Sequence, residues 1–310
     1  PEAYGGSGLG TTEAALVVQA ISESGAANSG VSAIAIGLFG LSPILKYASE
    51  AQRLAWLPRI VARADIACFG VTEPNTGHDT TRLKTRAERR GDTYYVNGEK
   101  VWISTAQVAN KIMLIARTTP IEDCARPVDG LSLFYTDLDR RHADIRVIDK
   151  MGRHCVDSNQ IFFTDMPVPA AHRIGEEGKG FRYLLTGLNA ERILIAAGLV
   201  GLGRVALRRA TAYARTRVVF GRPIGMNQAI QHPLAKNWAE LEAANLMVFK
   251  AAAQHEAGED CGVAANAAKY LAAEAAFSAC SNAVLTHGGM GYAKEYHVER
   301  YLREVLIHRI

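Results

Sequence analysis

The chain has 310 residues, 48% hydrophobic and 21% charged, enough apolar material for more than one core, which excludes a disordered chain. Its formal net charge is +4, and bases are interspersed with acids, as in DLDRRHADIR (Asp137 to Arg146), so no basic stripe marks a nucleic-acid binder. Neither a membrane-length apolar run nor a basic-then-apolar leader is present, so no membrane span and no signal peptide are expected. Cys68, Cys124, Cys155, Cys261 and Cys280 are scattered without a CxxC pair or a Cys/His spacing suited to zinc, which points to a reducing compartment and no metal. The chain starts at Pro1 and stops inside the helix-like YLREVLIHRI with no stop signal, so it reads as an internal piece of a longer protein.

From Thr11 to about Ala64 the sequence is Ala-rich with helical spacing (Leu41, Leu45, Ala48; Ala55, Leu57, Ile60), broken at Gly40 and Pro43. From Cys68 the pattern shortens. RLKTRAERRGDTYYVNGEKVWIS predicts two strand arms about Asn97-Gly98, a strong hairpin signal. KIMLIART, LSLFYTDL, DIRVIDK and NQIFFTD extend the series, which predicts a small antiparallel barrel or sandwich. After GEEGKGF (Gly175 to Phe181) the helical period returns, with long helices expected over Tyr183 to Thr216, Gln228 to Ala257 and Gly262 to His287, as in a bundle. The reading is α+β, with an N-terminal helical domain (1–67), a central β domain (68–174) and a C-terminal helical bundle (175–310), both end domains incomplete.

Four stretches stand apart from generic core. FGVTEPNTGHD (Phe69 to Asp79) follows a short apolar strand and is either a plain turn or a loop offering N–H groups to a ligand. Trp102 with Ser104 ends the second hairpin arm, as core or as a cofactor contact. RTRVVFGRPIGMNQAIQH (Arg215 to His232) gathers arginines about a helix break, as a solvated loop or an anion clamp. HGGMGY (His287 to Tyr292) follows a helix, not a strand, which argues against a dinucleotide glycine loop. No P-loop and no GxSxG nucleophile context occurs.

The fifth stretch, GLNAERILIAAG (Gly187 to Gly198), sets Glu191 among Leu188, Leu194 and Ile195. Burying an unpaired carboxylate costs several kcal/mol. Either Arg192 or another cation compensates Glu191, or it is a general base whose pKa burial raises.

Taken together and in order, FGVTEPNTGHD, NGEKVWIS, MGRHCVDS with IFFTDMPVP and IGEEGKGF, RTRVVFGRPI with Gln228, and HGGMGY resemble the acyl-CoA dehydrogenase family over essentially the whole chain. The resemblance implies FAD between the β domain and the C-terminal helices. Phe69, Val71, Thr72, Gly77, Trp102, Ile103 and Ser104 would line the isoalloxazine. Arg217 and Phe220 would meet the FAD of a partner subunit, and Gln228 with the Gly288-Gly289 turn would touch it across the dimer interface, in a homo-oligomer that is a dimer of dimers.

LNAERI also resembles the L-x-x-E-R-[IL] pattern of the isovaleryl- and long-chain subgroup, which carries its base on the first long C-terminal helix rather than in the Y-E-G-T motif. Glu191 would then remove the α-proton of an acyl-CoA as the β-hydride passes to flavin N5, giving a trans-2-enoyl-CoA. Asn189 and Arg192 would sit near the CoA moiety. Three departures accompany the match: His78 replaces the Ser of G-S-D and would sit near the substrate, Leu285 replaces a Gln before the glycine turn, and the chain stops just before the Y-E-G-T position. The resemblance further implies electron-transfer flavoprotein as redox partner, a role in fatty-acid β-oxidation, and a cytoplasmic location in a bacterium or the mitochondrial matrix in a eukaryote. An acyl-CoA oxidase, a DNA-associated flavoprotein relative and an inactive FAD-holding scaffold are the competing readings.

Overall fold

The computed structural model describes residues 1–35 and 41–310, so the break expected at Gly40 lies outside the described residues. In chain order the helices are α1 (Thr11–Ile21), α2 (Ala27–Ala35), α3 (Leu41–Tyr47), α4 (Glu50–Val61), α5 (Gly180–Leu185), α6 (Leu188–Thr216), α7 (Gln228–Glu256), α8 (Gly262–His287) and α9 (Val298–Val305). Between α4 and α5 come β1 (Ala67–Gly70), β2 (Arg86–Arg90), β3 (Thr93–Ser104), β4 (Lys111–Arg117), β5 (Leu131–Asp137), β6 (Ala143–Val147), β7 (Ser158–Pro169) and β8 (Arg173–Ile174); β9 (Val218–Val219) and β10 (Arg222–Pro223) lie between α6 and α7. This is the α+β order that the periodicities predict. The described residues gather into two compact units.

The first unit takes the described parts of Pro1–Gly8, Ile36–Lys150 and Val156–Leu188. Its sheet runs β6-β7-β3-β2-β4-β5-β8, with β1 paired to β4. Most neighbours are antiparallel, but β1 and β2 both meet β4 in parallel. β4 and β5 are apolar almost throughout because both sheet faces are covered. On one face Ile112, Leu114 and Phe134 join Tyr94, Val96, Ile161 and Met166. On the other, Met113, Ile115, Leu133 and Tyr135 pack with Ile44 of α3, Trp56 and Leu57 of α4 and Tyr183 of α5. Ser49 starts α4 with a capping box: its Oγ accepts from Gln52 N and Gln52 Oε1 accepts from Ser49 N.

The hairpin forms elsewhere than at Asn97-Gly98. Arg90 pairs with Thr93, so the turn is Gly91-Asp92, with Gly91 at φ +63. Asn97-Gly98 lies inside β3, at a register shift against β7. Gly98 is needed there for space as well as for its φ of +142, since a β-carbon would stand 2.7 Å from Thr85 Cα. Asn97 exchanges hydrogen bonds with Asp165 on β7. The Asn-Gly pair therefore bends a strand instead of closing one.

The second unit takes Leu9–Ala35, Met151–Cys155 and Asn189–Ile310. The last two long helices match the expected spans closely. The first is interrupted: the segment from Tyr183 divides into α5 and α6, and α6 begins at Leu188. α8 presents Ala268, Ala272, Ala276, Ala279 and Ala283, all fully buried, a small-residue seam that lets helix backbones approach closely. α6 uses Gly201 similarly: a β-carbon there would collide with the Gln19 carbonyl of α1 and lie 2.9 Å from Ser22 Cβ. Glu304 on α9, 1% exposed, accepts from Ser29 N at 2.9 Å, Ser29 Oγ at 2.8 Å and Arg300 Nη1 at 2.9 Å, which ties α2 to α9.

Candidate active site

In the first unit, the loop after β1 and the end of β3 are laced together. Val101 N donates to Thr72 O at 2.9 Å. Lys100 Nζ donates to Val71 O at 2.8 Å and to Glu73 Oε1 at 2.9 Å. Glu73 in turn accepts from Lys84 N at 2.7 Å and Thr85 N at 3.0 Å. Burial would raise the Glu73 carboxyl, but the Lys100 charge and these donors bring it below its ordinary value. Burial holds the Lys100 ammonium down to about 8 against the pull of Glu73.

Beyond Lys100, β3 loses register with β7 until Ile103, and Trp102 takes φ +61 with 57% of its surface exposed. A left-handed, solvent-facing Trp is strained and unfavourably solvated, and it leaves a flat aromatic surface open. Thr72 and Ser104 are half-buried, and Gly77 and His78 exposed. Three of the proposed flavin-lining residues sit differently from expectation. Ile103 is 2% exposed, its side chain in the sheet core and its carbonyl accepting from Asn159 Nδ2 at 2.9 Å. The side chains of Phe69 and Val71 pack on the α3–α5 face of the sheet. Alternation along a strand sends neighbours to opposite faces, so Trp102 and Ile103 cannot both face outward.

In the second unit, Asn189, Glu191 and Arg192 occupy the first turn of α6, all half-buried. Arg192 does not neutralise Glu191: its Nη1 donates to Asn189 Oδ1 at 3.0 Å, and Glu191 makes no ion pair among the described residues. Burial raises the Glu191 carboxyl above its ordinary value, with the Arg192 charge opposing. The compensated salt bridge, one of the two readings open from sequence, is thus absent.

Arg217 is exposed just past the end of α6. β9 and β10 form a two-stranded hairpin whose turn, Phe220 and Gly221, has φ +51 and +75, and Phe220 stands wholly exposed at 101%. Gln228 starts α7, exposed. Gly288 and Gly289 follow α8, with nothing within 4 Å of where either β-carbon would lie, an open backbone that a ligand can approach. Tyr213, whose carbonyl accepts from Arg217 N at 2.9 Å, stacks on His287, so the ends of α6 and α8 adjoin. Sequence reading missed Glu73, Lys100 and Tyr213, although the first two lie inside quoted motifs. Their signal was charge within apolar strand sequence, which acquires meaning only once the partner is known.

Models of three acyl-CoA dehydrogenase domains match the chain: the N-terminal domain over residues 1–64, the middle domain over 68–166 and the C-terminal domain over 178–310. The chain belongs to the acyl-CoA dehydrogenase family. An acyl-CoA dehydrogenase of Bacillus subtilis is 35% identical over 311 residues, spanning 100% of this chain and 81% of the relative. The structure of butyryl-CoA dehydrogenase from Megasphaera elsdenii superposes with a TM-score of 0.92 at 33% identity, over 100% of this chain and 81% of that one. A structure described as the FAD complex of PigA superposes with a TM-score of 0.94 at 26% identity, over 100% of this chain and 80% of that one. This acyl-CoA dehydrogenase homologue is accordingly a flavoprotein oxidoreductase with FAD as its cofactor. In the first unit the strained, exposed Trp102 offers a flat surface to such a group; in the second unit the exposed Phe220 and the open Gly288-Gly289 backbone offer a ring surface and close approach. No helix among the described residues is long and apolar enough to cross a membrane.

Proposed function

We propose that the protein dehydrogenates an acyl-CoA thioester at its α,β-carbons, with Glu191 as the base that removes the α-proton. The observation that carries the reading is the state of Glu191: a half-buried carboxylate in the first turn of α6, unpaired because Arg192 is turned to Asn189. Desolvation makes the carboxylate more basic than in water, and the N-terminal helix dipole still tolerates its charge. That combination suits proton abstraction from a weakly acidic carbon. When bound, FAD supplies the hydride acceptor for the β-carbon. The Val71-Thr72 backbone, Trp102 and Ser104 would hold its ring system, while Arg217, Phe220, Gln228 and the Gly288-Gly289 backbone would meet the FAD of a partner subunit. Arg217 is a fitting partner for a pyrophosphate, since it makes no ion pair among the described residues. Asn189 and Arg192, joined to each other, would orient the CoA end of the substrate.

A base on α6 groups the protein with the isovaleryl- and long-chain-like subgroup and favours a branched or long acyl chain. Exposed Phe220, Met226 and Trp238, with an apolar groove of about 370 Å³ lined by Leu207, Ile230, Leu234 and Trp238, support a homo-oligomer. Electron-transfer flavoprotein is the acceptor to test first.

The deciding experiment titrates the yellow holoenzyme anaerobically with straight and branched acyl-CoA thioesters while flavin bleaching is followed, beside Glu191→Gln. One thioester should bleach the parent, whereas the variant binds it and stays yellow. Equal bleaching of both proteins places the base elsewhere.

A further inference from the structure

Glu73 and Lys100 take opposite charges into the interior of the first unit, 5% and 0% exposed. A buried ion pair is a poor source of net stability, because desolvation consumes most of the Coulomb gain and a well-packed apolar pair serves as well. What it provides is direction: charge-assisted hydrogen bonds are short and hold groups at defined angles. Here they converge from three stretches of chain. Lys100 grips the Val71 carbonyl, Glu73 grips the N–H groups of Lys84 and Thr85, and Thr85 Oγ1 donates to Glu99 O at 3.0 Å, returning to the strand that carries Lys100.

The pair also stands beside the one strained aromatic of the sheet. Trp102 needs support from both sides to keep φ +61, since a bulky residue there costs about 1–3 kcal/mol. On its far side Ile103 is locked in the core and bonded to Asn159. On its near side the lock is Lys100, through Val71 and Glu73.

We infer that Glu73 and Lys100 are positioning residues: without touching the flavin, they hold the Val71–Glu73 backbone and the bulge presenting Trp102 in the single arrangement that receives the isoalloxazine ring. The inference rests on the reading of the Val71-Thr72 backbone and Trp102 as the flavin-facing surface.

The test compares holoenzymes of the parent, Lys100→Met, Glu73→Gln and the double variant, by FAD release on dilution (flavin fluorescence), visible circular dichroism of the bound flavin, and urea midpoint. Each single variant should release FAD about ten- to a hundred-fold more readily, the equivalent of one lost charge-assisted hydrogen bond, with an altered visible dichroism. The double variant, free of unpaired charge, should recover its urea midpoint yet keep the weakened FAD affinity, because methionine cannot hold the Val71 carbonyl. Recovery of both properties would make the pair structural only and overturn the inference. If the single variants do not fold, the double variant decides alone, and Glu73→Asp, which keeps the charge but shifts the grip, should show a smaller change in FAD release and dichroism. Trp102→Leu separates the two levels. If it leaves the flavin spectrum unchanged, the flavin-facing assignment itself falls and takes the inference with it; if it changes the spectrum while Lys100→Met does not, only the positioning role is lost.

Discussion

The imidazole of His287 lies on the phenol ring of Tyr213, centroids 4.3 Å apart and planes 24° from parallel. Tyr296 meets both rings edge-on, and His287 Nδ1 is 2.7 Å from Ala283 O, so the stack ties the end of α6 to the end of α8 just before the glycine turn. Tyr213→Phe keeps the stack and should leave the urea midpoint near the parent value. Tyr213→Ala leaves a gap and should cost about 2–4 kcal/mol in urea denaturation.

His287 and His308 both resist protonation. Burial holds them below the ordinary value of 6.5, with the hydrogen bond to Ala283 opposing for His287, and His308, additionally repelled by Arg153 and Lys269, falls to about 3. An imidazole kept neutral in the folded state accepts its proton more readily in the unfolded chain, so stability is full above 6.5 and declines as pH falls toward the folded value. Thermal unfolding followed from pH 8 to pH 4 should show a nearly constant midpoint down to about 6.5 and a steady fall below it. His308→Phe should flatten part of that fall.

For Glu191 the sign is reversed. A carboxyl whose folded pKa is raised costs stability once ionised, so Glu191→Gln should melt no lower than the parent at pH 8, even as turnover drops by about 10²–10⁴-fold. In the parent, turnover should rise with pH through one ionisation above the ordinary carboxylate range, a limb absent from any residual activity of the variant. A variant that melts lower would mean that Glu191 stabilises the first turn of α6.

Glu304 tests the α2–α9 tie. Removing it in Glu304→Ala strands the Ser29 donors and a partly buried Arg300, which should cost about 3–5 kcal/mol in urea denaturation. Glu304→Gln keeps an acceptor and should lose distinctly less.

The two turn-like glycines of the β2–β3 region should part company. At Gly98 a β-carbon would press on Thr85, so Gly98→Ala should lower the melting temperature by several degrees. Gly91, at φ +63 with nothing within 4 Å, should accept Asn with little change, because asparagine tolerates the left-handed conformation.

What the sequence by itself determined is what repeats locally. The 3.6-residue spacing of Ala and Leu specifies α7 and α8 almost to their ends, the short β-branched runs specify the strands, and the order of motifs identifies the family. These are properties of neighbouring residues, and hydrogen bonds within a helix or along a strand need nothing further. Pairing is not local. Asn97-Gly98 looks like a hairpin turn until β7 lies alongside and Asp165 takes the Asn97 side chain, and Gly91 is free to turn because nothing crowds it. Ile103 is indistinguishable from a site residue until the sheet sends it to the core and its neighbour outward. Glu73 and Lys100 stand 27 residues apart and are ordinary charges until folding strips both of water and sets them 2.9 Å apart as an ion pair. Glu191 was legible as a misplaced carboxylate, but whether Arg192 would cancel it depended on which way one guanidinium turned. The first turn of α6 decided that, since the i, i+3 spacing brings the Asn189 oxygen within reach of Arg192, and what tertiary structure added is the burial that leaves the carboxylate desolvated and basic.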